Sequence, residues 1–273
     1  MQLTRHRFGD SPGLVHATSG IVLNESKRNL VVSRLSRRLR ALDLPDFDAY
    51  CRVLEGDGGA EEQRLMTSLL TTNVTKFFRE IHHFNALRDE VLPPLLANVR
   101  QGGRLRIWSA GCSTGQEPYS LAAILLDVMP DAAKRDARIL ATDIDPASLA
   151  KAREGTYAAQ DAEDVPPGLR KKVFSGSAGA GGGALRVNDE LREIVTFAEL
   201  NLMRDWPFRG RFDVIFCRNV VIYFDAETQR RLWSRYSEAL MPGGHLFVGH
   251  SERVTGSASQ SLQPVGITQY RRG

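Results

Sequence analysis

Apolar positions recur at helical spacing through the first hundred residues and at strand spacing in much of the remaining chain. In KRNLVVSRLSRRLRALDL, Leu30, Val31, Leu35, Leu39 and Leu42 mark one face of a helix, and Lys27, Arg28, Arg34, Arg37, Arg38 and Arg40 fill much of the rest. The break at Glu55-Gly56-Asp57-Gly58-Gly59 ends one helical unit. The next is expected from about Ala60 to Leu70 and leads into TTNVTKFFRE. A further helix is expected from His82 to Val99, interrupted by Pro93-Pro94.

From residue 104 the period changes. RLRIWSA reads as a strand, GCSTGQEP as a turn, and YSLAAILLDVM as a helix packed through Leu121, Ile124, Leu125 and Val128. RILATDI is a second strand, and PASLAKARE a helix with proline in its first turn. REIVTFAEL and RFDVIFCRN read as buried strands. DAETQRRLWSRYSEALM reads as a helix capped by Asp225, and Gly243-Gly244 as the opening of the strand HLFVGHS. VGITQYRR resembles the last strand of a terminal pair. Strands alternating with helices predict an α/β fold, a doubly wound, mostly parallel sheet. SGSAGAGGGA, with five glycines, and the strand-like ALRV break the rhythm and are expected to form a mobile loop beside a small β insertion. The expected division is a helical domain at 1–70, a linker and connecting helix at 71–103, and a sheet domain at 104–273 with the insertion at about 170–196.

Composition narrows the class. The 273 residues are 42% hydrophobic and 25% charged, which fits a soluble globular chain rather than a disordered one. No apolar run approaches the ~18 residues of a membrane helix, and MQLTRHRFGD offers no secretory signal, so a cytoplasmic location is expected. Three cysteines, Cys51, Cys112 and Cys217, are too scattered for a disulfide framework or a zinc site. His82 and His83 are adjacent, but no third ligand is evident, and no metal is expected. The net charge of +4 is mild and does not demand nucleic acid. The basic helix is either a solvated face or a docking face for an acidic partner.

The loop Ser109 to Glu117 sits where an open α/β sheet holds its ligand, beyond a strand end and before a helix. Three chemistries compete there. A phosphate loop would need a lysine where Glu117 stands. Gly111-Cys112-Ser113-Thr114-Gly115 is a literal G-x-S-x-G, and Asp213 with His245 or His250 would complete a hydrolase order. Such an elbow, however, should follow several strands and an oxyanion segment. The third ligand is S-adenosylmethionine, which carries no pyrophosphate. A glycine turn passes beneath its amino-acid end, a carboxylate balances its positive charge, and Asp143, 28 residues beyond Gly115, can accept the ribose hydroxyls.

At this point the residues resemble the CheR-type chemotaxis protein methyltransferases, which methylate receptor glutamates with S-adenosylmethionine. The matching segments are TTNVTKFFRE (71–80), WSAGCSTGQEPYS (108–120), ATDIDP (141–146), Asn201-Leu202, FCRNVVIYF (216–224) and GHSE (249–252), in the family's order. The resemblance implies a class I methyltransferase-like sheet with an all-helical N-terminal domain, S-adenosylmethionine as cofactor and S-adenosylhomocysteine as product. It implies that Asn73, Thr75 and Arg79 contact the cofactor or transfer site, that Glu117 holds the methionine ammonium and that Asp143 holds the ribose. Asn201 and Leu202 would then flank the adenine, and Asn219 and Val220 line the pocket near the sulfonium, with Gly111 under the cofactor. Gln116 stands where many members carry glutamate. The implied partner is the cytoplasmic helical bundle of a methyl-accepting chemotaxis receptor, reached by a monomer that meets the membrane only through that receptor. On chemical grounds Arg79 is expected to orient the acceptor carboxylate and Tyr223 to stand near the sulfonium. Arg34, Arg37 and Arg38 are expected to dock the receptor. No tetrapeptide of the DPPY or NPPY type is present, so a nucleic-acid substrate is not expected. A non-catalytic module that binds the same cofactor is the rival of a different class.

Overall fold

The computed structural model describes residues 25–70, 74–175 and 183–273. Among these residues the strands are, in chain order, β1 (Leu105–Ala110), β2 (Ala137–Asp143), β3 (Thr156–Tyr157), β4 (Phe174–Ser175), β5 (Leu185–Val187), β6 (Val195–Glu199), β7 (Phe212–Cys217), β8 (Leu240–Val248), β9 (Leu262–Gly266) and β10 (Gln269–Arg272). Seven of them form one sheet in the order β6-β2-β1-β7-β8-β10-β9. The first five in that order run parallel, and β10 runs antiparallel to both β8 and β9. This is the doubly wound, mostly parallel sheet that the alternation predicts.

Alternate residues of β1 feed two cores. Leu105 and Ile107 pack with Phe84, Leu121 and Val214 on one face, whereas Trp108 and Ala110 join Trp233 and Tyr236 on the other. From β1 the chain steps outward to β2 and β6, then returns to lay β7 and β8 on the opposite side. The order therefore reverses between β1 and β7, which opens a crevice above their carboxyl ends. The strand expected at ALRV is the centre of a small antiparallel sheet, β3-β5-β4, which also draws in Thr156–Tyr157 from before the expected bounds of 170–196. Residues 176–182 of the glycine tract lie outside the described residues.

Three local expectations need correction. The helix expected over His82–Val99 begins at Ile81, widens to a π turn at Leu87–Val91 and resumes as Leu92–Arg100, with Pro93 and Pro94 in its first turn. Neither proline has an N–H to give the carbonyl four residues back. The turn before them opens instead, and the Leu92 N–H bonds to the Leu87 carbonyl. REIVTFAEL is a strand only from Val195, because Asp189–Ile194 is helical. Finally, β8 begins at Leu240, and Gly243-Gly244 lie inside it, where the register with β7 shifts between Phe212 and Val214.

The N-terminal helices Glu25–Ala41, Phe47–Glu55 and Gly59–Leu70 enclose Leu35, Leu39, Tyr50, Leu54, Met66 and Leu70. Of Arg34, Arg37 and Arg38, the three residues expected to dock the receptor, two make contacts within this domain. Arg34 and Arg38, one turn apart beside the Leu35/Leu39 stripe, serve their own domain. Arg34 donates to the carbonyls of Leu69 and Leu70, at 3.1 Å each. Arg38 grips Glu62 with its Nε at 2.9 Å and its Nη2 at 2.6 Å, and the Tyr50 hydroxyl donates to the same carboxylate at 2.7 Å. The Arg38 hydrogen bond holds the Glu62 carboxyl below its ordinary range against the opposing effect of burial. Arg37 and Arg40 are exposed. Arg38→Met should therefore lower unfolding stability by about 2 kcal/mol, because it strands a mostly buried carboxylate. An unchanged urea midpoint would show the pair to be a surface contact of no consequence.

Among the described residues no helix is long and apolar enough to cross a membrane. Cys112 and Cys217 are buried thiols in no disulfide.

Candidate cofactor and transfer site

The loops that follow β1, β2, β6 and β7 meet over the crevice and enclose a cavity of about 250 Å³. Its lining includes Thr75, Arg79, Gly111, Glu117, Asp143, Asn201, Leu202, Asn219, Val220 and Tyr223. One cavity thus gathers every expected cofactor and transfer residue that is described. Asn73 lies outside the described residues. The cavity also takes in Arg218, Ser113 and the apolar Ile144 and Leu200, to which sequence reasoning assigns no role.

Two glycines set the β1 loop. Gly111 has φ +84°, and a Cβ on it would lie 2.3 Å from Val220 Cγ2, so the loops after β1 and β7 touch only because no side chain intervenes. Gly115 has φ +97° and heads the helix Gln116–Val128, close under the Tyr157 hydroxyl and Ala152. Asp143, at the end of β2, ties this loop down. One of its oxygens accepts the Ser113 N–H at 2.7 Å and the other the Asp145 N–H at 3.0 Å. Burial raises the Asp143 carboxyl, while those two N–H groups act to lower it. The Ile144 N–H adds to them, and the carboxylate, with about four acceptor positions, keeps capacity for a ligand hydroxyl. Asp145 separately caps the helix Pro146–Glu154, which leaves Asp143 free of that duty.

Glu117 sits in the first turn of its helix. It accepts from the Ser109 hydroxyl at 2.7 Å and from Arg218 Nη1 at 3.2 Å. Burial pushes its carboxyl up, and Arg218 and Ser109 oppose this. Arg218 is itself almost wholly buried and also lies 3.2 Å from Glu80 Oε2. Its Nη2 donates to the carbonyl of Arg79. Burial would raise the Glu80 carboxyl, but the Arg218 charge and hydrogen bonds from Arg218 and His250 bring it below its ordinary value. The segment around Arg79 is strained, with φ +50° at Phe78 and +58° at Glu80. It is held there by the Phe78 N–H on Ser120 Oγ at 3.0 Å and by Arg218, which meets the Arg79 carbonyl and the Glu80 carboxylate. The Arg79 side chain is thereby presented to the cavity, and it also donates to the Val74 carbonyl at 3.2 Å.

The β6 and β7 loops complete the walls. Asn201 Oδ1 accepts the Met203 N–H at 2.8 Å, fixing the Asn201-Leu202 turn beside Leu200. Tyr223 lines the cavity and packs against the core of the N-terminal helices, so that domain abuts the cavity.

Two other chemistries can be judged from this geometry. The hydrolase order fails, because Asp213 sits at the opposite end of the strands and accepts the Arg106 N–H at 2.8 Å. The structure does bring a third group, Glu80, to His82 and His83, their ligand atoms lying within 4.8 Å of one another. Nothing in the sequence marks Glu80 as that third group. The cation beside Glu80 is already Arg218, and burial together with that charge drives His83 down to about 3.

The donor set fits S-adenosylmethionine. A carboxylate with spare lone pairs meets the ribose end, and an Arg218–Glu117 pair matches a zwitterionic amino-acid end. Apolar Ile144, Leu200 and Leu202 offer a wall for a planar base, and the backbone approaches closely at Gly111.

Comparison with known proteins agrees with this reading. The family model described as "CheR methyltransferase, SAM binding domain" matches residues 73–271, and "CheR methyltransferase, all-alpha domain" matches residues 13–71. A "Probable chemotaxis protein methyltransferase" from Rhizobium etli is 52% identical over 258 residues, covering 94% of this chain and 96% of its own. "Chemotaxis protein methyltransferase 2" from Pseudomonas aeruginosa is 44% identical, covering 98% and 93% of the two chains. The "Chemotaxis protein methyltransferase" of Escherichia coli is 43% identical, covering 89% and 82%. The chain belongs to the CheR methyltransferase family.

Proposed function

We propose that this protein transfers a methyl group from S-adenosylmethionine to glutamate side-chain carboxylates on the cytoplasmic helical bundle of a chemotaxis receptor, forming methyl esters. The observation that carries this reading is the convergence of Gly111, Glu117 and Asp143 with Arg79 and Tyr223 on one cavity at the topological switch point.

A glutamate acceptor, with a reference pKa of about 4.3, is already ionised at neutral pH, so the site needs no general base. The bound cofactor supplies an electrophilic methyl on a cationic sulfur, which leaves as a neutral thioether. What the chain must provide is alignment and exclusion of water. In this reading Arg79, which lines the cavity, grips the acceptor carboxylate with its planar fork while Arg218 holds its backbone. Glu117 and Arg218 fix the amino-acid end of the cofactor, and Asp143 the ribose. Asn219 and Val220 bound the reacting centre, with the Tyr223 ring beside them. Arg37 and Arg40, exposed on the helix Glu25–Ala41, offer the positive face that an acidic receptor helix would meet.

Receptor-containing membranes incubated with the enzyme and labelled S-adenosylmethionine should acquire label that mild base releases, as a carboxyl ester requires. Base-stable label would overturn carboxylate specificity. Arg79→Lys keeps the charge but loses the fork, and should cut the turnover number by about 10²-fold through misalignment. Wild-type turnover would remove Arg79 from its orienting role.

A further inference from the structure

The sequence singles out Gly249-His250-Ser251-Glu252, yet none of these residues lines the cavity. The structure gives Glu252 an unusual environment. Its carboxylate, 3% exposed, accepts four backbone N–H groups. Oε2 takes those of Gly249 at 2.6 Å and Asn219 at 2.9 Å, and Oε1 those of Val220 at 2.9 Å and Val221 at 3.0 Å. Three consecutive N–H groups of the β7 loop thus point at one side chain. That geometry requires the left-handed backbone of Asn219, φ +59°. The other side of the same loop forms cavity wall through Asn219 and Val220, pressed against Gly111.

We infer that Glu252 is a positioning residue for methyl transfer: it clamps the loop Arg218–Val221 in the one conformation that sets Asn219 and Val220 against the reacting centre. The inference rests on reading the cavity as the S-adenosylmethionine site. A carboxylate is the side chain suited to this task, since it offers about four acceptor positions and no donor. An amide of the same shape would set its own N–H groups against two of the backbone donors. The clamp works at a distance from substrate, through the loop alone. Gly249 is part of the same device, because a Cβ there would lie 2.7 Å from Asn219 Nδ2, 2.8 Å from its amide nitrogen and 2.9 Å from Glu252 Oε2.

Two variants test this, Glu252→Gln and Gly249→Ala, the second of which crowds the loop while leaving the carboxylate in place. For each, sites are counted by calorimetric titration with S-adenosylhomocysteine, and kcat is expressed per binding site. A purely structural role lowers the folded fraction but leaves kcat per site unchanged. The clamp predicts a fall of about 10²-fold for Glu252→Gln and about tenfold for Gly249→Ala, the scale of a misplaced reacting geometry. If Glu252→Gln does not fold, Gly249→Ala decides. Wild-type turnover per site in the variants that fold overturns the role of Glu252 while leaving the reading of the cavity intact. A wild-type chain that takes up no S-adenosylhomocysteine overturns that reading, and this inference with it.

Discussion

Arg218→Met should destabilise the protein by about 3–5 kcal/mol and abolish methyl transfer, the cost of removing one partner from a buried charge cluster. Arg218 stands between Glu80 and Glu117, at 3.2 Å from each, and all three side chains are largely withdrawn from water. Without the guanidinium, two carboxylates face each other uncompensated, and the Arg79 carbonyl loses its donor. The strained turn at Phe78–Glu80 would then relax, taking Arg79 out of the cavity. Urea unfolding measures the first effect and labelled-methyl transfer the second. Arg218→Met/Glu80→Gln should recover part of the stability but none of the activity, because one orphaned charge is removed while the Arg79 anchor stays lost. Full stability in the single variant would show that the cluster is solvated and that its geometry matters little.

Asp143→Asn should weaken S-adenosylhomocysteine binding by roughly 100-fold or more, since hydrogen bonds to a charged group contribute about 1.5–3 kcal/mol each. The carboxylate now accepts the Ser113 and Asp145 N–H groups while keeping lone pairs for a ribose. An amide turns one of those oxygens into a donor facing a donor. The β1 loop loses its tether and the ribose loses an acceptor in a single substitution. Calorimetry on the folded variant reports the loss, and affinity within a few-fold of wild type would place the ribose elsewhere.

What the sequence made visible here is what its neighbours along the chain determine. Gly111, Glu117 and Asp143 lie within one strand–turn–helix–strand unit, so their convergence follows from local periodicity and the switch-point rule. Arg218 is different. Its partners Glu80 and Glu117 are far away in sequence, and a lone arginine after a strand gives no sign of being buried. The role of Glu252, though not its segment, was hidden for a related reason, since its partners are backbone N–H groups that carry no residue identity. The basic helix is divided in a way its sequence does not show. Charge pattern alone does not distinguish Arg38, which reaches Glu62 on a neighbouring helix, from Arg37, which faces water. The double proline at Pro93-Pro94 signalled a disruption but not its form, because a helix packed through Leu87, Val91, Leu92 and Leu96 accommodates a wider turn without leaving its core.

Equilibrium dialysis of the folded wild-type chain against labelled S-adenosylmethionine addresses the heart of the matter. One saturable site per chain, displaced by S-adenosylhomocysteine, is the outcome that the cavity above β1 and β7 requires. Folded protein that retains no label at saturating ligand would contradict it.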